Sequence, residues 1–265
     1  MKNKLATYDY QEGKAFISVT DQAGFEYPQS TAAPVKLKPK YNEEIYITNI
    51  PLDVAIMDSS YYQAPDFTTG EVVMKSNYSP SEPVAITSET KVNLNGKKIT
   101  APLFTESNGE VLEGNSDSYG FWVKKGASLT IEGKGEVVAQ DATYSMAIWA
   151  DGGDVTIKGG TFRNGGDSCD LIYASNGGNV VIEGGEFFPA GPASGTAPGT
   201  KNPYTALNVK DKDYKSGVSN IIVKGGIFHN FNPADNVSET EHTNFVAEGY
   251  KAVEVKPNVW EVTEE

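Results

Sequence analysis

SLTIEGKGEVV (128–138), DVTIKGGTFRN (154–164), NVVIEGGEFFP (179–189) and NIIVKGGIFHN (220–230) carry one pattern: a short run alternating aliphatic and polar residues, a glycine turn, and a second short β-prone run. The equivalent positions Ile131, Ile157, Ile182 and Val223 lie 26, 25 and 41 residues apart. The last interval is one period plus 16 residues, visible as GPASGTAPGTKNPY (191–204) and as extra residues around DKDYKSG (211–217). Another apolar run precedes each segment: GFWVK (120–124), MAIWAD (146–151), LIYASN (171–176) and ALNVKD (206–211). No helical periodicity runs through this half of the chain. A period near 25 without a helix is too short for a four-stranded propeller blade and lacks the spaced leucines of a leucine-rich repeat. The physical solution is a parallel β-solenoid, in which every strand pairs with its equivalent one coil on. Five to six coils stacked at ~4.8 Å make a rod of about 25–30 Å.

The columns of this solenoid follow from the alternation. Val155 and Ile157, Val180 and Ile182, and Ile221 and Val223 point inward as an aliphatic core. The pairs Gly159-Gly160, Gly184-Gly185 and Gly225-Gly226 supply a turn with positive φ. Phe162, Phe187 and Phe228 follow two residues later and are expected to stack inside the rod. KVNLNGKKITAP (91–102) reads as the first coil, with Leu94 and Ile99 inward. NFVAEGYKAVEVKPNVWEVTEE (244–265) reads as a closing hairpin turning near Lys256-Pro257-Asn258, since an uncovered last coil invites edge pairing.

Upstream the texture differs. Residues 1–85 are rich in proline and tyrosine, with short strand-like runs at AFISV (15–19), EEIYITNI (43–50) and EVVM (71–74). APVKLKPKYN is expected to be extended, because each proline disfavours helix in its predecessor. The organisation expected is an anchoring arm and small β region over 1–85, a parallel β-helix over 86–243, and a capping hairpin over 244–265.

Composition narrows the functions. The 265 residues hold 22 basic and 35 acidic side chains, a net charge of −13. That disfavours a nucleic-acid partner, whose phosphates need clustered cations, and docking on anionic lipid. Arg163 is the single arginine and Cys169 the single cysteine, so neither an arginine clamp nor an internal disulfide is expected. No run approaches the roughly 18 apolar residues of a membrane span. The N-terminal lysines are followed by no apolar stretch, so no secretory signal is expected there.

Repeats of the form TIKGGTF, VIEGGEF and IVKGGIF resemble the right-handed parallel β-helix proteins of the pectin-lyase-like superfamily. KVNLNGKKIT and NFVAEGYKAVEVKPNVWEV resemble a group of these found in gut bacteria and their tailed phages. The resemblance covers about residues 86–265 and implies the fold more firmly than any activity, because lyases, hydrolases, adhesins and phage spikes share it.

Enzymatic relatives of the pectate-lyase type hold Ca²⁺ on several carboxylates. Asp151 and Asp154 stand at one corner, and Asp167 and Asp170 follow 16 residues on, a ladder able to offer oxygen ligands to Ca²⁺. Aspartate beside glycine is also the ordinary composition of exposed turns. The Asn-Thr-Asp, Asp-Asp and Arg-Ile-Lys signatures of galacturonase-like members are absent, and His229 and His242 read as surface residues.

The outward columns say more. Ile148, Ile172 and Leu207 align inward, so Trp149, Tyr173 and Asn208 point outward; so do Thr156, Val181 and Ile222 on the next strand. Outward apolar columns call for cover. Val181 and Ile222 suit an interface between copies, and Trp149 and Tyr173 suit either that interface or a sugar-stacking platform. The expectation is a structural virion protein of a tailed phage: a β-helical head fibre, spike or capsid appendage. It would be a homotrimer made in the bacterial host cytoplasm, attached to capsid or tail proteins through residues 1–85 and touching host-surface glycans. No catalytic set and no cofactor beyond the Ca²⁺ option are expected. The alternative is a polysaccharide lyase or glycoside hydrolase of the same fold, acting as a capsule depolymerase.

Overall fold

The computed structural model describes residues 64–104, 117–142, 144–165, 170–190 and 205–265, together with the backbone of four strands before them. Asp167 and the 191–204 insertion lie outside the described residues. The chain forms two compact units, Met1–Ala64 and Pro65–Glu265. In the first, β1 (Ala6–Gln11) pairs antiparallel with β2 (Lys14–Val19), and β3 (Ala32–Leu37) with β4 (Ile45–Pro51).

Among its described residues the second unit is all-β apart from one short helix. Its strands, in chain order, are β5 (Glu71–Val73), β6 (Val84–Ile86), β7 (Glu89–Asn93), β8 (Lys97–Thr100), β9 (Asp117–Lys124), β10 (Ser128–Glu132), β11 (Gly135–Asp141), β12 (Tyr144–Asp151), β13 (Asp154–Ile157) and β14 (Thr161–Gly165). There follow β15 (Asp170–Ser175), β16 (Asn179–Ile182), β17 (Glu186–Phe188), β18 (Thr205–Val209), helix α1 (Asp211–Ser216), β19 (Asn220–Val223), β20 (Gly226–His229), β21 (Tyr250–Lys256) and β22 (Val259–Glu264). They form three long sheets. Sheet 1 runs β5-β7-β10-β13-β16-β19, sheet 2 runs β8-β11-β14-β17-β20-β22-β21, and sheet 3 runs β6-β9-β12-β15-β18. Within each, a strand pairs parallel with the one three places on, except at the hairpin end of sheet 2 and at the β5–β7 step of sheet 1. This cyclic visiting of three parallel sheets is consistent with a parallel β-helix. The parallel sheets already include β5 and β6, which stand at or before the 85/86 change of texture.

The repeat explains the register. Leu129, Val155, Val180 and Ile221 pair in one row of sheet 1, and Ile131, Ile157, Ile182 and Val223 in another, all at 2% exposure or less. Burying each such side chain stabilises by about 1.5–3 kcal/mol. Phe162, Phe187 and Phe228 stack in sheet 2 with centroids 5.2 and 4.6 Å apart and planes 11° and 10° from parallel. In each glycine pair only the second residue takes positive φ, as at Gly185 (φ 104°). The first is glycine for close approach: a Cβ on Gly184 would stand 2.7 Å from the Lys158 carbonyl oxygen.

Helix α1 falls in the insertion before the last repeat, where no helical period was legible. Six residues are too few to show one. Acidic Asp211 and Asp213 in its first turn, Lys215 in its last and Gly217 in the left-handed conformation at its end suit a helix this short.

The last strand of each sheet is closed by a different device. On β20 the β21–β22 hairpin adds antiparallel, turning at Pro257 and Asn258. On β19, the Val223 N–H donates to the Phe245 carbonyl (2.8 Å) and the Ala247 N–H to the Val223 carbonyl (2.9 Å). On β18, the Val209 N–H donates to Glu239 Oε1 (2.6 Å). Among the described residues no helix is long and apolar enough to cross a membrane.

Candidate functional site

Strict alternation along a strand sends every second side chain inward. Sheet 3 breaks that rule in β12, β15 and β18. Ala147 and Ile148 are neighbours yet both belong to the central core, as do Leu171 and Ile172, and Ala206 and Leu207. The residues flanking the first pair, Met146 and Trp149, belong instead to a second apolar cluster outside that core, with Tyr119. The strand sequences YGFW (119–122), MAIW (146–149) and DLIY (170–173) share this out-in-in-out order, with glycine at the first inward place of YGFW. Gly120 shows how tight the bend is: a Cβ there would stand 2.4 Å from the Ala147 carbonyl oxygen. Two outward columns therefore rise side by side. Tyr119 and Met146 pair in register, and Asp170 takes the equivalent place one strand on; Trp122, Trp149, Tyr173 and Asn208 form the other.

Between the columns lies a cleft of about 250 Å³, lined among others by Tyr119, Tyr144, Met146, Trp149, Asp170 and Tyr173, with Asn176 and Lys210 at its polar end. Trp149 is 5% exposed. It stacks on Trp122 at 4.9 Å and 6°, meets the Tyr119 ring edge-on at 5.1 Å, and lies 6.4 Å from Tyr173. Its Nε1–H donates to Ser175 Oγ (2.9 Å). One face of Trp149 is thus taken by Trp122, and the residue is almost wholly buried. Tyr173 is half-buried and Tyr144 exposed, so their rings present the accessible aromatic surface.

Polar contacts brace the cleft. Trp122 Nε1–H donates to Asp151 Oδ2 (3.0 Å), and Asn176 Nδ2 to Asp151 Oδ1 (2.6 Å). Lys210 Nζ donates to Asn176 Oδ1 (3.1 Å). The Lys124 ammonium lies over the Trp122 ring, and burial pushes its pKa down. The Tyr119 hydroxyl donates to Asp117 Oδ2 (2.6 Å). Asp170, 8% exposed, accepts from Asn208 Nδ2 (2.7 Å). Beyond the cleft, burial pushes the Glu239 carboxyl up to about 7, assisted by Asp211 and Asp170 and opposed by the Val209 N–H.

Of the anticipated carboxylate ladder, Asp151 accepts from Trp122 and Asn176, and Asp154 accepts from Asn179 (3.1 Å), while Asp170 is the one among its described members that lines the cleft. Among the described residues no three His, Cys, Asp or Glu side chains converge as a metal site. Val181 and Ile222 pair in register on the outer face of sheet 1, both half-buried. Trp149 and Tyr173 do share one site. The flanking Tyr119 and Met146 were missed because regular alternation was assumed, and Asp170, expected in a carboxylate ladder, lines this cleft instead.

The histidines are held in place by carboxylates. His229 Nε2 meets Glu186 Oε1 at 2.7 Å, and its ring stacks on Phe188 (3.9 Å), which carries the Arg163 guanidinium on its face. His242, exposed, bonds Asp235 (2.9 Å), which raises its pKa.

Compared with protein-family models, curated proteins and solved structures, the chain has no match in any of the three.

Proposed function

We propose that this chain is a non-enzymatic glycan-contacting appendage, a right-handed parallel β-helix of five to six coils of the pectin-lyase-like type. In this reading it is a homotrimeric head fibre or spike of a tailed-phage virion, attached through residues 1–85. The observation that carries the glycan part is the cleft on sheet 3, where the exposed Tyr144 and half-buried Tyr173 stand beside Asp170, Asn176 and Lys210. Aromatic faces take the apolar face of a sugar ring while fixed polar groups read its hydroxyls, the usual division of labour in a small-molecule site. The virion part rests on the resemblance of the repeats and on the acidic composition. Glycoside hydrolysis uses two carboxyl groups flanking the bond. Asp170 is the one carboxylate among the described residues lining the cleft, so a binding role suits it better than turnover.

The test is a glycan array probed with the purified protein, with reducing-end and unsaturated-uronate release measured on every glycan that binds. Binding without release, lost in Tyr173→Ala, is the expected result. Release of product would replace the binder with the lyase or hydrolase reading.

A further inference from the structure

We propose that residues 237–242 form a proton-operated latch on the end of sheet 3, shut while Glu239 is protonated and lifted off β18 once it ionises. The inference stands on the closing loop alone and holds whatever the cleft binds.

The loop is a self-bonded tip on a fixed base. At the base, Phe231 and Phe245 are buried in the central core, and the Phe245 carbonyl accepts the Val223 N–H (2.8 Å). Asn236 and Thr243 exchange two backbone hydrogen bonds (3.1 and 2.7 Å), which close residues 237–242 into a ring. Inside it Thr243 Oγ1 accepts the N–H groups of Glu239 (3.1 Å) and Thr240 (2.9 Å), and Asn236 Oδ1 accepts that of Ser238 (3.1 Å). Among the described residues, the bond from the Val209 N–H to Glu239 Oε1 (2.6 Å) is the hydrogen bond that ties this tip to β18.

The closed tip is poorly satisfied. Ser238 Oγ and Glu239 Oε2 are both buried with no hydrogen-bond partner among the described residues. Several donors are needed to keep a buried carboxylate ionised, and Glu239 receives the Val209 N–H alone. The charges facing it are mostly of its own sign: Asp211 on α1 and Asp170 on β15, against Lys215 on α1, whose ammonium lies 3.8 Å from Asp211. On the loop itself His242 is bonded to Asp235, and Glu241 stands exposed beside it. Burial, with Asp211 and Asp170 behind it, pushes the Glu239 carboxyl up to about 7. A protonated carboxyl suits the closed position, whereas an ionised one, and the Ser238 hydroxyl with it, gains water when the tip lifts. The base stays packed in the core, so what opens is the edge of β18 at Val209, next to Lys210 at the polar end of the cleft. A carboxyl raised in the closed position holds that position most firmly at low pH, and the hold weakens from about 4.5 to about 7.

Hydrogen–deuterium exchange of the full chain, run from about pH 5 to about pH 8.5 with labelling times scaled for the intrinsic chemistry, reads the latch at the Val209 amide. In the wild type Val209 is expected to exchange faster than Val180 and Ile182 of the core at every pH. Its protection is expected to fall about tenfold across the range, a value discounted for the partial solvent access of Glu239. Glu239→Gln keeps an acceptor for Val209 and is expected to hold its protection level throughout. Glu239→Ala removes the acceptor and is expected to leave Val209 poorly protected at every pH, with Val180 and Ile182 still protected. Protection at Val209 that is flat in the wild type, or that falls as much in Glu239→Gln, overturns the latch. So does exchange of Val209 in step with Val180 and Ile182, which would mean that the edge opens only when the whole fold does. A Glu239→Ala protein as protected at Val209 as the wild type would show that other contacts hold the tip, and overturns it too.

Discussion

Trp122 and Trp149, paired in register on β9 and β12, stack with centroids 4.9 Å apart and planes 6° from parallel. Both rings lie outside the central core, so this stack is a second, external apolar cluster built on the outer face of sheet 3. Lys124 over one side and Tyr173 beyond the other extend the column in both directions. The cleft is the place where the column passes from indole to tyrosine to the amide of Asn208.

Trp149 is therefore a structural member of the site. Trp149→Ala is expected to destabilise the fold by about 3–5 kcal/mol, the usual loss for a buried aromatic. Tyr173→Ala, at a half-buried position, should cost about 1 kcal/mol or less and act on ligand affinity instead. Chemical denaturation of both variants checks this; a Trp149→Ala protein as stable as the wild type would remove the buried role.

The bend in β9 makes a sharper case. Gly120→Ala places a Cβ 2.4 Å from the Ala147 carbonyl oxygen, a backbone atom of the neighbouring strand. Gly126→Ala meets nothing within 4 Å and only strains a positive φ. The second substitution should cost about 1 kcal/mol and the first clearly more. Urea midpoints rank the two, and equal losses would mean that β9 shifts freely to accept the methyl group.

Much of this was legible in the repeats. Ile157, Ile182 and Val223 sit in the expected row, and Phe162, Phe187 and Phe228 stack as their two-residue offset from the glycine pairs implies. Trp149 and Tyr173 were placed on the outer face by alternation. Three things were hidden. The doubled inward residues at Ala147-Ile148 and Leu171-Ile172 violate the period-2 rule used to find the faces. The burial of Trp149 depends on Trp122, a residue 27 positions earlier whose ring reaches it only through the coil register. The Glu239–Val209 contact joins residues 30 apart, with no local pattern to announce it.

Val181 and Ile222 test the proposed trimer. Each is half-buried within one chain, and their paired columns offer an apolar stripe beside Thr156. If copies meet there, Val181→Asp with Ile222→Asp places two charges per chain in the contact, and light scattering should show the trimer mass fall to that of a monomer. A trimer that survives the double substitution puts the contact on another surface, and a wild-type monomer at tens of micromolar removes the trimer.

Glu239 gives the fold a pH dependence of defined sign. Its Oε1 accepts the Val209 N–H at the closing edge of sheet 3, while its Oε2 is buried with no partner among the described residues. Burial, with Asp211 and Asp170 behind it, raises the carboxyl from 4.5 to about 7. A carboxyl raised on folding binds its proton more tightly in the folded state. Its contribution is therefore complete below about 4.5, where both states are protonated, and is lost as pH rises to about 7. Glu239→Gln keeps the acceptor for Val209 and places a neutral amide where the second oxygen lies. Relative to the wild type, the variant should gain stability between those two pH values and hold the gain above them. The expected gain is about 1–2 kcal/mol, discounted for partial solvent access. Other carboxylates titrate in both proteins, so the difference between their urea-unfolding curves, measured from pH 4 to 8.5, isolates this group. Parallel curves across that window would show that Glu239 ionises at the closed edge without penalty.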